Sequence, residues 1–195
     1  MRENKFSDLL HIALSDLVKW LDDSRIPVVV IGGVAAAILG KPRVTRDIDA
    51  VILVDPLRWN ELLEAGKSFG FVPRISNMVE FAKKSHVFLL RHEPTDIGVD
   101  LSFAVLPFEQ EMIKGRKTVR LKEVQVPLPR PEDLIVMKVI ARRPRDLADI
   151  EGILEAQPKI DTKRVLHLVR EFAELLEMPE ILEDFVRILN ARKKK

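Results

Sequence analysis

The run Val28-Val29-Val30-Ile31, closed by Gly32-Gly33, limits this chain more than any other stretch. Four consecutive β-branched residues suit a strand buried on both faces. The paired glycines let the backbone turn sharply and let another group come close to it. A short apolar segment follows, and then Arg43-Val44-Thr45-Arg46-Asp47-Ile48-Asp49-Ala50-Val51-Ile52. The pattern predicts strand, glycine turn, short helix, loop and second strand. On that second strand Asp47 and Asp49 fall on one face, with Ile48 and Ala50 on the other.

A strand followed by glycines also suggests a dinucleotide-binding turn, which needs G-x-G-x-x-G/A. Val34 stands where the second glycine is required, so that reading is set aside. Asp-x-Asp alone also describes an ordinary strand end with two solvated carboxylates. A third carboxylate, Asp100 in the apolar run Ile97-Gly98-Val99-Asp100-Leu101-Ser102-Phe103, shifts the balance. Neighbouring carboxylates repel one another, and a divalent cation with a taste for hard oxygen removes that cost. Three carboxylates on two strands, beside a turn able to hold phosphates, describe a two-metal phosphoryl-transfer site.

The set Gly32-Gly33, Arg43-x-Thr45-x-Asp47-Ile48-Asp49 and Asp100 resembles the DNA polymerase β-like nucleotidyltransferase superfamily. Glu132-Asp133-Leu134-x-x-x-Lys138 and Arg145-Asp146-Leu147-x-Asp149-Ile150 are similar to the AbiEii-type nucleotidyltransferases, many of them toxins of toxin–antitoxin pairs. The resemblance covers about residues 25 to 155. It implies an α/β (α+β) fold: a nucleotidyltransferase-like mixed sheet with flanking helices, and a C-terminal helical bundle. It also implies transfer of a nucleoside monophosphate from an NTP to a hydroxyl. Asp47, Asp49 and Asp100 would be the catalytic and metal-holding residues, with two Mg²⁺ (Mn²⁺ as a substitute). Asp100 would also help deprotonate the acceptor. Gly32, Gly33, Arg43, Thr45, Arg46 and Lys138 would contact the nucleotide. Partners implied are the NTP, RNA such as a tRNA end, and a cognate antitoxin or HEPN-type protein. A small-molecule or protein acceptor, or a non-catalytic partner that kept the fold, are the competing readings.

With 47% hydrophobic and 32% charged residues the chain has the composition of a globular protein. It has no cysteine, which excludes a disulfide framework and a thiolate zinc site. No apolar run reaches membrane-spanning length, and a cytoplasmic location is expected. Net charge is only +2, so nucleic acid is not demanded by the whole molecule. Basic residues nevertheless gather at Lys41, Arg43 and Arg46, at Lys114 to Lys122, at Arg142, Arg143 and Arg145, and at Arg192 to Lys195.

Helical spacing runs over 6–22, with Ser7 as a candidate cap. Phe71-Val72 followed by Pro73 reads as an edge strand, and 71–85 otherwise shows no clear period. His86–Arg91 and Ile97–Ala104 read as two strands joined by a turn. From Pro131 onward the pattern is helical, with restarts at Pro144, Asp161 and Pro179. The expected division is therefore 1–130, an α/β nucleotidyltransferase domain, and 131–195, a helical region packed on it. Lys138 sits inside an apolar run and needs a counter-charge. Asp146 is a candidate partner.

Overall fold

The computed structural model describes residues 2–193. Of the basic tail, Lys194 and Lys195 lie outside the described residues. Two units are distinguished: Met1–Val34 with Val44–Pro129, and Ala35–Arg43 with Arg130–Lys195. Sequence order places 35–43 inside the α/β part, whereas its contacts group it with the helical residues.

In the first unit, β1 (Val28–Val30) and β2 (Asp47–Ile52) run antiparallel, with Val30 opposite Ala50. β3 (Phe71–Pro73), β4 (Val87–His92) and β5 (Ile97–Phe103) complete a sheet of order β1-β2-β5-β4-β3. β2 and β5 are parallel neighbours, and every other pairing in this sheet is antiparallel. β3 is an edge strand, as Pro73 requires, since proline cannot donate to a ladder. After helix α5 (Pro107–Lys114), β6 (Lys117–Leu121) and β7 (Val124–Leu128) form a separate hairpin.

Alternation decides which side of the sheet is core. On one side Ile48, Ala50, Ile52, Phe88, Leu90, Val99, Leu101 and Phe103 are buried. Helix α1 (Arg2–Asp23) supplies Trp20, which stacks on Phe71 at 5.1 Å between ring centroids. Helix α3 (Trp59–Lys67) supplies Trp59, stacked on Phe103 at 4.4 Å and edge-on to Phe88 at 5.6 Å. Burying rings of this size contributes about 1.5–3 kcal/mol each, and pairing adds about 0.5–1.5 kcal/mol. Trp59 is therefore core, with no free ring face for a base. Gly66 is dictated by the same packing, because a Cβ there would lie 2.7 Å from the Trp20 ring. α1 begins at Arg2, so Ser7 lies within the helix and not at its start. His92 is fully buried, with Nδ1 2.8 Å from Thr95 Oγ1 and Nε2 3.1 Å from Asp16. It holds the β4–β5 turn against α1. His86 closes α4 (Met78–Ser85) in the left-handed region, φ 54°.

Helix α2 (Gly32–Leu39) starts in the first unit, and from Ala35 onward belongs to the second. In the second unit α6 (Pro131–Ala141) and α7 (Pro144–Ala156) each open on proline, whose fixed φ suits a first turn. Arg142, at φ 50°, makes the corner between them. Asp161 caps α8 (Thr162–Leu175), accepting from the N–H groups of Lys163 and Arg164. α9 (Glu180–Lys193) buries Ile181 and Phe185. Gly40 lets the end of α2 meet the α7 backbone, since a Cβ there would stand 2.9 Å from the Ile153 nitrogen. Among the described residues no helix is long and apolar enough to cross a membrane.

Candidate active site

The sheet face opposite the aromatic core carries the acidic residues. Burial along β2 alternates as the sequence requires: Asp47 exposed, Ile48 buried, Asp49 half-buried, Ala50 buried. In the parallel β2–β5 pairing Asp49 lies opposite Asp100 and Asp47 opposite Gly98. Residues directly opposite share a face, so Asp47, Asp49 and Asp100 stand on the same side of two adjacent strands.

Each carboxylate has its own local support. Thr45, almost fully buried, donates its hydroxyl to Asp47 Oδ1 at 3.2 Å. Asp49 lies against Gly32, the first residue of α2, and that glycine has φ +61°. A Cβ at Gly32 would overlap the Asp49 carboxylate. Glycine is required there twice over, for the backbone angle and for the space. Asp100 Oδ1 accepts from the guanidinium of Arg74. Burial pushes the Asp100 carboxyl above its ordinary range, the Arg74 charge pulls it back, and the Asp47 charge pushes it up again.

The pairing of Arg74 with Asp100 is one that the sequence does not disclose. Arg74 follows Pro73 in the stretch without periodicity. The structure shows its N–H donating to the Leu89 carbonyl at 2.9 Å, which extends the β3–β4 ladder by one residue. Its side chain crosses β4 toward Asp100 on β5.

The donor set fits a divalent cation: three carboxylates, all hard oxygen donors, crowded enough for one to raise another's proton affinity. Among the described residues, however, no three His, Cys, Asp or Glu side chains converge into a ready-made cage. The oxygen donors share a face, but they do not converge.

Arg43 and Lys138 belong to the second unit, where both engage Asp149. Arg43 is bidentate, Nε to Oδ1 at 2.7 Å and Nη2 to Oδ2 at 2.9 Å. Lys138 Nζ lies 2.7 Å from Asp149 Oδ2 and 3.0 Å from Asp146 Oδ1. The counter-charge that the apolar run demanded of Lys138 is thus two aspartates. Burial alone would push the Asp149 carboxyl up. The hydrogen bonds and charges of Arg43 and Lys138 outweigh that and hold it below the ordinary range. Arg46, in the first unit, is exposed.

A family model described as a nucleotidyltransferase of unknown function (DUF6036) matches residues 9–186. The chain belongs to this nucleotidyltransferase family. A search of curated protein sequences returned no match. Among solved structures, an antigenic nucleotidyltransferase-like protein from Paracoccidioides brasiliensis is 19% identical with a TM-score of 0.56, over 91% of this chain and 94% of that one. The solution structure of the antibiotic-resistance factor ANT(2'')-Ia is 16% identical with a TM-score of 0.60, over 92% and 97%. The same factor in complex with adenylyl-2''-tobramycin is 17% identical with a TM-score of 0.58, over 87% and 99%. At these identities the likeness establishes the fold, a mixed α/β nucleotidyltransferase fold.

Gly32→Ala tests the α2–β2 contact. The strained backbone angle alone is expected to lower stability by about 1–3 kcal/mol. Displacement of Asp49 is expected to weaken Mn²⁺ binding in parallel. Thermal melts and a Mn²⁺ titration measure the two effects. A variant with wild-type melting temperature and cation affinity would show that the glycine is dispensable.

Proposed function

We propose that this chain transfers a nucleoside monophosphate from an NTP to a hydroxyl acceptor, releasing pyrophosphate. The observation that carries the reading is the register of β2 on β5. It sets Asp47, Asp49 and Asp100 on one face, next to the glycine that opens α2. Asp47 and Asp49 are assigned to hold divalent cations, Mg²⁺ or Mn²⁺, with Asp100 as the third ligand. Bound there, the cations would neutralise phosphate charge and align an in-line displacement. Thr45 fixes the Asp47 carboxylate. Backbone N–H groups at Gly32 and Gly33, at a helix N-terminus, are assigned to the phosphates. Arg46 lies directly before β2 and supplies charge. Asp100, whose carboxyl burial raises above its ordinary range, is assigned to take the acceptor proton. Arg43 and Lys138 are triphosphate candidates through the charge they bring, in competition with Asp149.

Two acceptors have specific support. The complex of ANT(2'')-Ia with adenylyl-2''-tobramycin favours a hydroxyl on a small molecule. The basic residues at Lys41 to Arg46 and Lys114 to Lys122 favour RNA, such as a tRNA end. A toxin role of AbiEii type, with a cognate antitoxin or HEPN-type partner, rests on the motif resemblance. Incubation with labelled NTPs, Mg²⁺ and total RNA, beside a panel of hydroxylated small molecules, is expected to place label on one class. A filter-binding titration of total tRNA adds a second check. RNA recognition through phosphates predicts affinity that falls steeply between low and moderate salt. Binding that is absent at low salt, or indifferent to salt, moves the acceptor to the small-molecule class. Absence of label on every acceptor, with every NTP, would overturn the transferase reading.

A further inference from the structure

Arg74 brings an internal cation to the third carboxylate. It stands on the edge-strand side, where its N–H is fixed to Leu89, and Leu89 is itself paired with Asp100 across β4–β5. The guanidinium passes close to Gly98, where a Cβ would meet Arg74 Nη1 at 3.6 Å, an ordinary contact distance. Its ion pair with Asp100 leaves both side chains 38% exposed. A pair this open to water is weak and exchangeable. The three carboxylates share a face, yet among the described residues no three His, Cys, Asp or Glu side chains converge on a metal position.

We propose that Arg74 is an internal counter-cation that competes with the divalent metal for Asp100, so that loading the site with metal requires Asp100 to leave Arg74. The inference rests on the assignment of Asp47, Asp49 and Asp100 to the cation. Arg74 is a positioning residue in this scheme. It holds Asp100 and offsets the mutual repulsion of the carboxylates while no metal is bound. It yields because a divalent ion shared by several carboxylates outcompetes a single, half-solvated guanidinium. The exchange breaks one ion pair and forms one metal–oxygen contact, with no proton or electron transferred.

The test is a Mn²⁺ titration without nucleotide, read by the electron paramagnetic resonance of free Mn²⁺. Four proteins form a double-mutant cycle: wild type, Arg74→Gln, Asp100→Asn and the double variant. Arg74→Gln keeps the side-chain stem, and circular dichroism checks its fold. Arg74→Ala repeats the measurement with the stem removed. Both Arg74 variants are expected to bind Mn²⁺ roughly five- to tenfold more tightly than wild type. In the Asp100→Asn background the same change is expected to have no effect, because the competition runs through Asp100. Equal tightening in both backgrounds reduces Arg74 to a general positive charge and overturns the proposal. Unchanged or weaker binding by the Arg74 variants overturns it too, and makes Arg74 a clamp that the metal site needs. In either case the metal assignment stands if Asp47→Asn with Asp49→Asn abolishes binding. If wild type and both Arg74 variants all fail to bind Mn²⁺ at millimolar concentration, the metal assignment and the proposal fall together.

Discussion

Asp100→Asn is expected to fold like the wild type and to transfer nucleotide at least about 100-fold more slowly. The substitution preserves size and shape at a half-buried position on β5, so the sheet has no reason to change. On the proposed reading two things are lost: a group able to accept the acceptor's proton, and an anionic oxygen for the cation. The first acts only in the transition state, so turnover should fall much further than NTP affinity. The Arg74 side chain loses a partner but keeps access to water, so stability should change little. Single-turnover transfer of labelled NTP, beside equilibrium nucleotide binding, separates the effects. Turnover near the wild-type rate would place the proton acceptor elsewhere and leave Asp100 a structural carboxylate. A large loss of NTP affinity with turnover preserved would make Asp100 chiefly a nucleotide-binding residue.

What made Asp100 legible in the sequence also shows where reading stops. Alternation is local: Asp47-Ile48-Asp49-Ala50 announces its two faces within four residues, and the structure buries Ile48 and Ala50 as that pattern requires. Asp100 repeats the pattern on a seven-residue strand, with burial alternating along its length. Arg74 has no such signature. Its place depends on the pairing of Pro73 with Leu90 and of Leu89 with Asp100, two ladder registers that bring distant segments together. Register is set by the whole sheet, and a one-residue slip would turn the side chain to the other face. The helix start at Gly32 was hidden for a different reason. Glycines read as a turn by propensity, and here a positive φ opens a helix instead. The grouping of 35–43 with the helical unit depends on Gly40 meeting α7, a close backbone approach that only three-dimensional contact reveals.

The apolar run around Lys138 did announce that a counter-charge must exist, and that partner sets the second large effect. Asp149→Ala is expected to cost about 3–5 kcal/mol of stability at neutral pH. The Lys138 side chain is only 6% exposed, so its charge has little access to water once Asp149 is gone, whereas Arg43 is 29% exposed. Removing the carboxylate takes both fork contacts with Asp149 from Arg43 and leaves Lys138 with Asp146, whose other oxygen already accepts from the Arg143 N–H. For a chain of this length the melting temperature should fall by about 10 °C. The dependence on pH follows from the lowered carboxyl. Because Asp149 is more acidic folded than unfolded, its contribution is complete above about pH 4 and is lost as pH falls through its folded value. The gap between wild type and Asp149→Ala should therefore be widest near neutrality and close under acid, which urea melts at pH 7 and pH 3 compare directly. A constant gap would mean that packing, not charge, is what the variant loses. Lys138→Met then decides between the two roles open to that lysine. If its ion pairs dominate, the variant melts lower while NTP affinity holds. If a triphosphate contact dominates, NTP affinity falls several-fold and the melting temperature stays within a few degrees of the wild type.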